Sequence, residues 1–425
     1  MRCRLVAILL VAALLAGCES NSAPETSSVP TIVANASSVG PLLLWHGWSG
    51  NDRQALGRLV EQYNRQRSDG RIVLQSVPLA SFAAELRAAV AAGSGPHLIL
   101  IPNTWIGGLA EAGVLLPLDD LIPAQETDTL LPVTLAGAQA RDAGGALRLY
   151  GAPVRFDTIA LYYNAANLTV PPEDTATMLA VGRGLSDPEA QPPIWGLALN
   201  LSHDNMIGYL YAFDGRIFDD EGRVALGTTG RAGAEQWLAW LTGLQNDPRI
   251  LARSESSILV DRELKDGRAI MTFDWAHQIG MYRGLWGEQV GVAPLPRLSE
   301  TGKAPRPYVR ADVLAINSLA GISEREAAAR FIRFMISTEA QSILLQSDMQ
   351  PASRALALTG DSPQEIAARV FRAQAEQGLP MSNASARAFV EQEIRRMQRQ
   401  ALLGLTTPAD AVTEADRRLR ERLEP

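Results

Sequence analysis

Short, largely apolar runs alternate along this chain with longer segments whose apolar residues recur at helical spacing. "LLLWH" (42–46) is a run of the first kind, and a near-continuous apolar run is what a parallel strand buried on both faces requires. Beyond it, Leu56, Leu59, Val60 and Tyr63 fall at i, i+3, i+4 and i+7, one face of a helix. The alternation then repeats. "RIVLQSV" (71–77) predicts a strand, "ASFAAELRAAVAAG" a helix ending at Gly93, "HLILI" (97–101) a strand, and a further helix ends near Gly113. Strands alternating with helices across short turns predict βαβ units and a parallel sheet with right-handed crossovers.

"LRLYGAPVRFDTIALYYN" (147–164) breaks this rhythm. Two strand-like runs meet at Pro153, with Arg155 and Asp157 just beyond, as in a chain crossing between lobes. Residues 165–296 carry their own strands and helices, including "GAEQWLAWLTGL", and a second crossing is expected near Pro294 and Pro296. "YVRADVLAI" (308–316) predicts another strand. Ser323 with Glu326 reads as a capping box ahead of Ala328, Phe331, Ile332 and Met335, and Thr338 with Gln341 reads as a second cap. Thr407 and Pro408 supply the N-cap and first position of a last helix, with Val412, Ala415, Leu419 and Leu423 on one face. At 425 residues the chain is too long for one core, so two lobes or domains are expected.

The N-terminal pattern changes the picture. Arg2 and Arg4 precede an apolar run, residues 5–15, that is too short to span a bilayer and reads as a secretion signal (1–17). Leu15-Ala16-Gly17-Cys18 has the form of a lipobox, whose cysteine takes a thioether-linked diacylglycerol; the alternative is an ordinary signal peptide with an incidental cysteine. Residues 18–40, rich in Ser, Thr, Asn, Ala and Pro, read as a flexible tether. With only 2 cysteines, Cys3 and Cys18, the exported body is expected to hold no disulfide and no thiolate metal site. The net charge is −7 and no basic block occurs, which argues against a nucleic-acid partner.

Several segments, in order, resemble the carbohydrate class of extracellular solute-binding proteins, the maltose-binding-protein-like receptors of ABC importers. They are "LLLWHGWSGND", "GSGPHLILIPNTWIGGLAEAGVLLPLDDLI", "LYGAPVRFDTIALYYNAANL", "FDGRIFDDEGRVAL", "LKDGRAIMTFDWAHQIGMY" and "EAAARFIRFMISTEAQSILLQSDMQPASRA". Two departures stand out: His97 where the family usually has Asp, and Asp274-Trp275 where Gly-Pro-Trp is common. The resemblance implies a two-lobed α/β fold of the type II periplasmic-binding-protein kind. Each lobe would be a mostly parallel sheet flanked by helices, joined by a multi-strand hinge, with 41–153 plus 297–350 in one lobe and 154–296 plus 351–425 in the other. It also implies an extracytoplasmic monomer without cofactor, anchored through Cys18, that closes on a sugar or polyol and signals to a membrane permease.

Ligands of open α/β sheets bind beyond the carboxyl ends of the strands. Strand 42–46 ends at His46 and is followed by Trp48, Asn51 and Asp52; strand 97–101 is followed by Asn103, Thr104 and Trp105. An indole covers the apolar face of a sugar while small polar groups fix its hydroxyl rim. Arg155, Asp157, Asp204, Asn205, Trp275 and Arg310 complete the candidate set. Each has a plainer alternative: Arg155 and Asp157 can pair across the hinge, Asp204 can cap a helix, Arg310 can sit in a hinge ion pair, and the indoles can be core. Trp237, Trp240, Trp195 and Trp45 lie in apolar helix or strand contexts and are assigned to the core. The Trp45-His46 pair also resembles the glycerol-phosphate branch of the same class, which would need an anion site such as Arg155 or Arg310. A secreted glycosidase is the enzyme alternative. However, the chain has no Gly-x-Ser-x-Gly elbow, its 4 histidines lack zinc spacing, and "HGWSGN" lacks the lysine of a phosphate loop. A receptor used for sensing alone is a third possibility.

Overall fold

The computed structural model describes residues 39–253 and 257–424. Cys18, the signal segment and all of the tether except Val39 and Gly40 lie outside the described residues. Two sheets organise the described chain. In the first, Ile72–Ser76, Leu42–His46 and Leu98–Pro102 run parallel, as their apolar runs predict. Tyr308–Asn317 then lies antiparallel between Leu98–Pro102 and Ala152–Asp157, and Gln350–Pro351 closes the edge. In the second, Leu251–Arg253, Trp195–Asn200 and Ala269–Trp275 are parallel, and Ile159–Asn164 runs antiparallel between Ala269–Trp275 and Val290–Ala293. Both sheets are therefore mixed and not mostly parallel. Strands that enter from the other sheet arrive without a crossover helix to reverse them, so they run against their neighbours.

Two apolar clusters follow this division, and a third bridges it, holding Phe156 and Val309 of the first sheet beside residues of the second. One gathers residues from Leu42 to Val154 with Ala311 to Ala352. A second gathers Ile159 to Leu298 with the C-terminal helices Arg387–Leu402 and Pro408–Leu423. A third, built on Tyr162, Tyr282 and Phe371, packs helix Pro363–Gln377 against the second sheet. Fifteen α-helices flank the sheets among the described residues, and none is long and apolar enough to cross a membrane. Gly50–Arg65 buries Leu56, Leu59, Val60 and Tyr63 as their spacing requires.

The break within 147–164 falls at Thr158 and not at Pro153. Pro153 lies inside Ala152–Asp157, opposite Val313, beside a register slip between Asp312 and Val313, a place where a strand tolerates a missing N–H. Thr158 is buried, and its hydroxyl donates to the Tyr308 carbonyl at 3.1 Å. Two expected caps shift as well. Helix Ile322–Ile336 starts after Gly321, whose N–H donates to Glu324 at 2.7 Å, so Ser323 and Glu326 are already helical. Helix Thr338–Gln346 is capped by Ser337 and not by Thr338. Thr407 caps the last helix as read, accepting from the Asp410 N–H at 3.1 Å.

Candidate ligand cleft

The two strands that meet at the floor of the cleft carry a reciprocal charge ladder. In the register of Ala152–Asp157 with Tyr308–Asn317, Arg310 stands opposite Asp157 and Asp312 opposite Arg155. Residues two apart on a strand share a face, so all four charges emerge on the same side. Arg155 Nε donates to Asp312 Oδ2 at 2.7 Å and its Nη1 to Asp52 Oδ2 at 2.6 Å. Arg310 gives Asp157 Oδ2 two bonds, at 3.0 and 2.6 Å.

Each guanidinium also lies over an indole. Arg155 sits 4.4 Å from the ring of Trp48, and Arg310 sits 4.2 Å from that of Trp275, geometry that gains cation–π attraction. Trp48 comes from the loop after Leu42–His46 in the first sheet, and its Nε1 donates to Asp312 Oδ2 at 2.7 Å. Trp275 ends Ala269–Trp275 in the second sheet. That strand runs on through the polar Asp274. Asp274 keeps its place in the ladder opposite Ala160, and its carboxylate accepts from the Trp275 N–H and the Tyr282 hydroxyl at 2.7 and 2.8 Å.

The electrostatics follow from these partners. Burial alone would raise the Asp157 carboxyl, but Arg310 and His277 outweigh it and bring it down to about 2. Burial works against a charge on His277, and the Asp157 carboxylate overcomes it, so the imidazole titrates above its ordinary value. Burial pushes Asp274 up to about 6. Burial opposes ionisation of Asp204 too, yet hydrogen bonds from His203 and Arg395 hold it below the usual range.

Above this floor opens a cleft of about 580 Å³. Of the residues expected from sequence, Trp48, Asn51, Asp52, Thr104, Arg155, Asp157, Asp204 and Arg310 line it. The other five lie elsewhere. His46 is buried, with Nδ1 unpartnered among the described residues, and burial followed by the charge of Arg53 lowers its pKa. Asn103 is buried and spends its amide on the carbonyls of Gly137 and Met381 and on the Ala311 N–H. Trp105 packs on Phe82 in the first core. Asn205 is buried and donates to the Phe273 carbonyl. Trp275 is also buried in the second core, one ring face covered by Arg310. Asp204 does not cap its helix; Ser202 holds that position, and Asp204 pairs with Arg395 at 3.1 Å.

His277, Asp312, Asp348, Gln350, Glu391 and Arg395 also line the cleft and were not read from sequence. Asp312 was within reach, since it lies two residues from Arg310 on one strand. Glu391 and Arg395 sit on Arg387–Leu402, a helix that tertiary packing alone brings to the cleft. No group of three or more His, Cys, Asp or Glu among the described residues is arranged to hold a metal ion.

Residues 58–367 match the family described as bacterial extracellular solute-binding protein. The chain belongs to that family. As a member it is an extracytoplasmic binding protein and not an enzyme. A curated relative, the maltotriose-binding protein of Pyrococcus abyssi (strain GE5 / Orsay), is 27% identical over 297 residues, 69% of this chain; the match spans only 62% of the length of that relative. Among solved structures, a cyclo/maltodextrin-binding protein complexed with maltotetraose superposes with a TM-score of 0.78 at 19% identity, covering 92% of this chain and 99% of its own. The maltose/maltodextrin-binding domain from Bdellovibrio bacteriovorus, bound to maltotriose, gives 0.72 at 20% identity, covering 91% and 100%. These likenesses give this solute-binding protein the type II two-lobed fold.

Proposed function

We propose that this solute-binding protein captures a short neutral saccharide between its two sheets and delivers it to the permease of an ABC importer. The observation that carries the reading is the state of the cleft's guanidinium groups. Arg155 is paired with Asp52 and Asp312, Arg310 with Asp157, Arg387 with Glu391, and Arg395 with Asp204. An anionic ligand such as a glycerol phosphate would have to break one of these pairs. A hydroxyl rim needs only the lone pairs and N–H groups that the pairs leave over. The names of the relatives, which bind maltotriose and maltodextrins, point the same way.

The remaining parts of the reading rest on sequence and packing. The lobes are assigned to 41–157 with 308–350 and to 159–293 with 351–424, hinged at Thr158, in place of the boundaries at 153/154 and 296/297 that Pro153 and Pro296 indicated. The protein works as a monomer, held at the membrane through a lipid on Cys18. Mass spectrometry of the mature N-terminus checks the anchor: a diacylglyceryl thioether on Cys18 is expected, and an unmodified cysteine or cleavage elsewhere contradicts it.

The ligand is tested by a thermal-shift panel of malto-oligosaccharides, other neutral sugars and glycerol 3-phosphate. A saccharide at 100 times its dissociation constant is expected to stabilise the protein by about 2.7 kcal/mol. Stabilisation by glycerol 3-phosphate alone would reverse the assignment.

A further inference from the structure

His277 occupies a position that nothing in the family assignment explains. It follows Trp275 by two residues, in the 3₁₀ turn Ala276–Gln278 at the end of a second-sheet strand. Its backbone N–H donates to Asp157 Oδ1 at 3.1 Å, and its Nδ1 lies 2.8 Å from Asp157 Oδ2. Asp157 is the last residue of a first-sheet strand. The same carboxylate is held by Arg310, from the neighbouring first-sheet strand, and Arg310 in turn covers Trp275 of the second sheet. One carboxylate thus joins the two sheets at the cleft floor, two residues of the ladder being bound to one sheet and His277 and Trp275 to the other.

We propose that His277 is a positioning residue whose protonation tightens this tie between the sheets, so that the hinge is stiffer in its acid form and looser in its basic form.

Three charged groups face the imidazole: Asp157 from Ala152–Asp157, Arg310 from Tyr308–Asn317, and Asp274 from its own strand. With Nδ1 protonated, the ring donates to Asp157 and an imidazolium completes a three-membered charge cluster. Arg310 Nη2 lies 3.2 Å from the same Nδ1. A guanidinium can only donate, so once Nδ1 gives up its proton the ring can accept from Arg310 instead. That exchange takes the imidazole's own bond and charge off the carboxylate, while Arg310 keeps its Nε bond to Asp157. The side chain of His277 is 45% exposed, so it exchanges protons freely with solvent, and Asp157 holds its pKa above the ordinary histidine value. The ring therefore loses its proton above the ordinary histidine range.

The test reads the tie without a ligand, so its outcome is separate from whether the cleft takes a sugar. Hydrogen exchange of the His277 amide, corrected for intrinsic exchange rate, is followed from pH 5.5 to 8.5 together with an NMR titration of the His277 ring. In the wild type, amide protection is expected to fall about two- to fivefold as the ring loses its proton, the range of a partly exposed ion pair. In His277→Gln the amide remains but its protection should not vary with pH. Asp274→Asn removes the other group titrating in this window and should leave the pH dependence in place. Protection in the wild type that is flat across the His277 titration, or an equal slope in His277→Gln, overturns the proposal. If Asp274→Asn does not fold, the ring titration in the wild type decides alone: the amide protection must change with the same midpoint as the ring.

Discussion

Asp274 shows how one buried group sets a pH dependence that its neighbours do not share. Its carboxylate is hydrogen-bonded at both oxygens, to the Trp275 N–H and the Tyr282 hydroxyl, yet burial still pushes it up to about 6. A carboxyl raised in the folded state imposes no ionisation cost below its unfolded value, near 4, and the cost grows as pH rises through about 6. Wild-type stability should therefore decline between roughly pH 4 and 6 from this group. Asp274→Asn should lack that decline and be more stable at pH 7.5, by ~1–3 kcal/mol. Urea denaturation across that range checks it, and a variant less stable than the parent at pH 7.5 would contradict it. Asp157 has the opposite sign: held at about 2, it stabilises the fold above its unfolded value and is lost only as pH falls toward 2. Part of this residue-scale chemistry was legible. Trp48, Asn51, Asp52 and Thr104 follow strand ends, and Arg155, Asp157 and Arg310 are charges in otherwise apolar strands. What sequence could not show was pairing: the ladder needs the register of two strands about 150 residues apart, and Glu391 and Arg395 need a distant helix to dock.

At the scale of elements, the apolar runs located the strands closely, because a strand buried on both faces leaves little choice of residue. The boundaries and caps moved for local reasons, as at Thr158, Gly321 and Ser337. Gln341 moved most in meaning. Read as the partner of a helix cap, it is instead fully buried and bridges three segments. Its Nε2 donates to the carbonyls of Val154 and Met335, both at 2.8 Å, and its Oε1 accepts from the Ser353 N–H at 2.9 Å. It thereby fastens helix Thr338–Gln346 to the hinge strand that carries Arg155 and Asp157. Gln341→Leu keeps the volume but leaves buried backbone groups unpaired, at a cost of about 1–3 kcal/mol each. A loss of at least ~2 kcal/mol is expected by chemical denaturation, whereas a change within about 0.5 kcal/mol, the usual range for surface substitutions, would mean these bonds are not holding the hinge strand.

Over the whole molecule, the two sheets exchange strands and side chains at one floor, and the cleft opens above it. A receptor of this kind needs open and closed arrangements only a few kcal/mol apart, so that ligand contacts can shift the balance. The indoles of Trp48 and Trp275 serve that floor in a different way from free stacking platforms, since each already has a guanidinium over its ring. On the proposed reading, recognition falls mainly to the charged ladder of the floor, with Asp312 at its centre: it binds both Trp48 and Arg155 and lines the cleft. Calorimetric titration of maltotriose into the wild type and into Asp312→Ala, with folding of both confirmed by melting, tests this most directly. Saturable one-to-one binding is expected in the wild type and a loss of about tenfold or more in the variant, the scale of hydrogen bonds to a charged group. A folded wild type that gives no saturable heat with maltotriose or any other neutral saccharide, or equal affinity in the two proteins, would contradict the account.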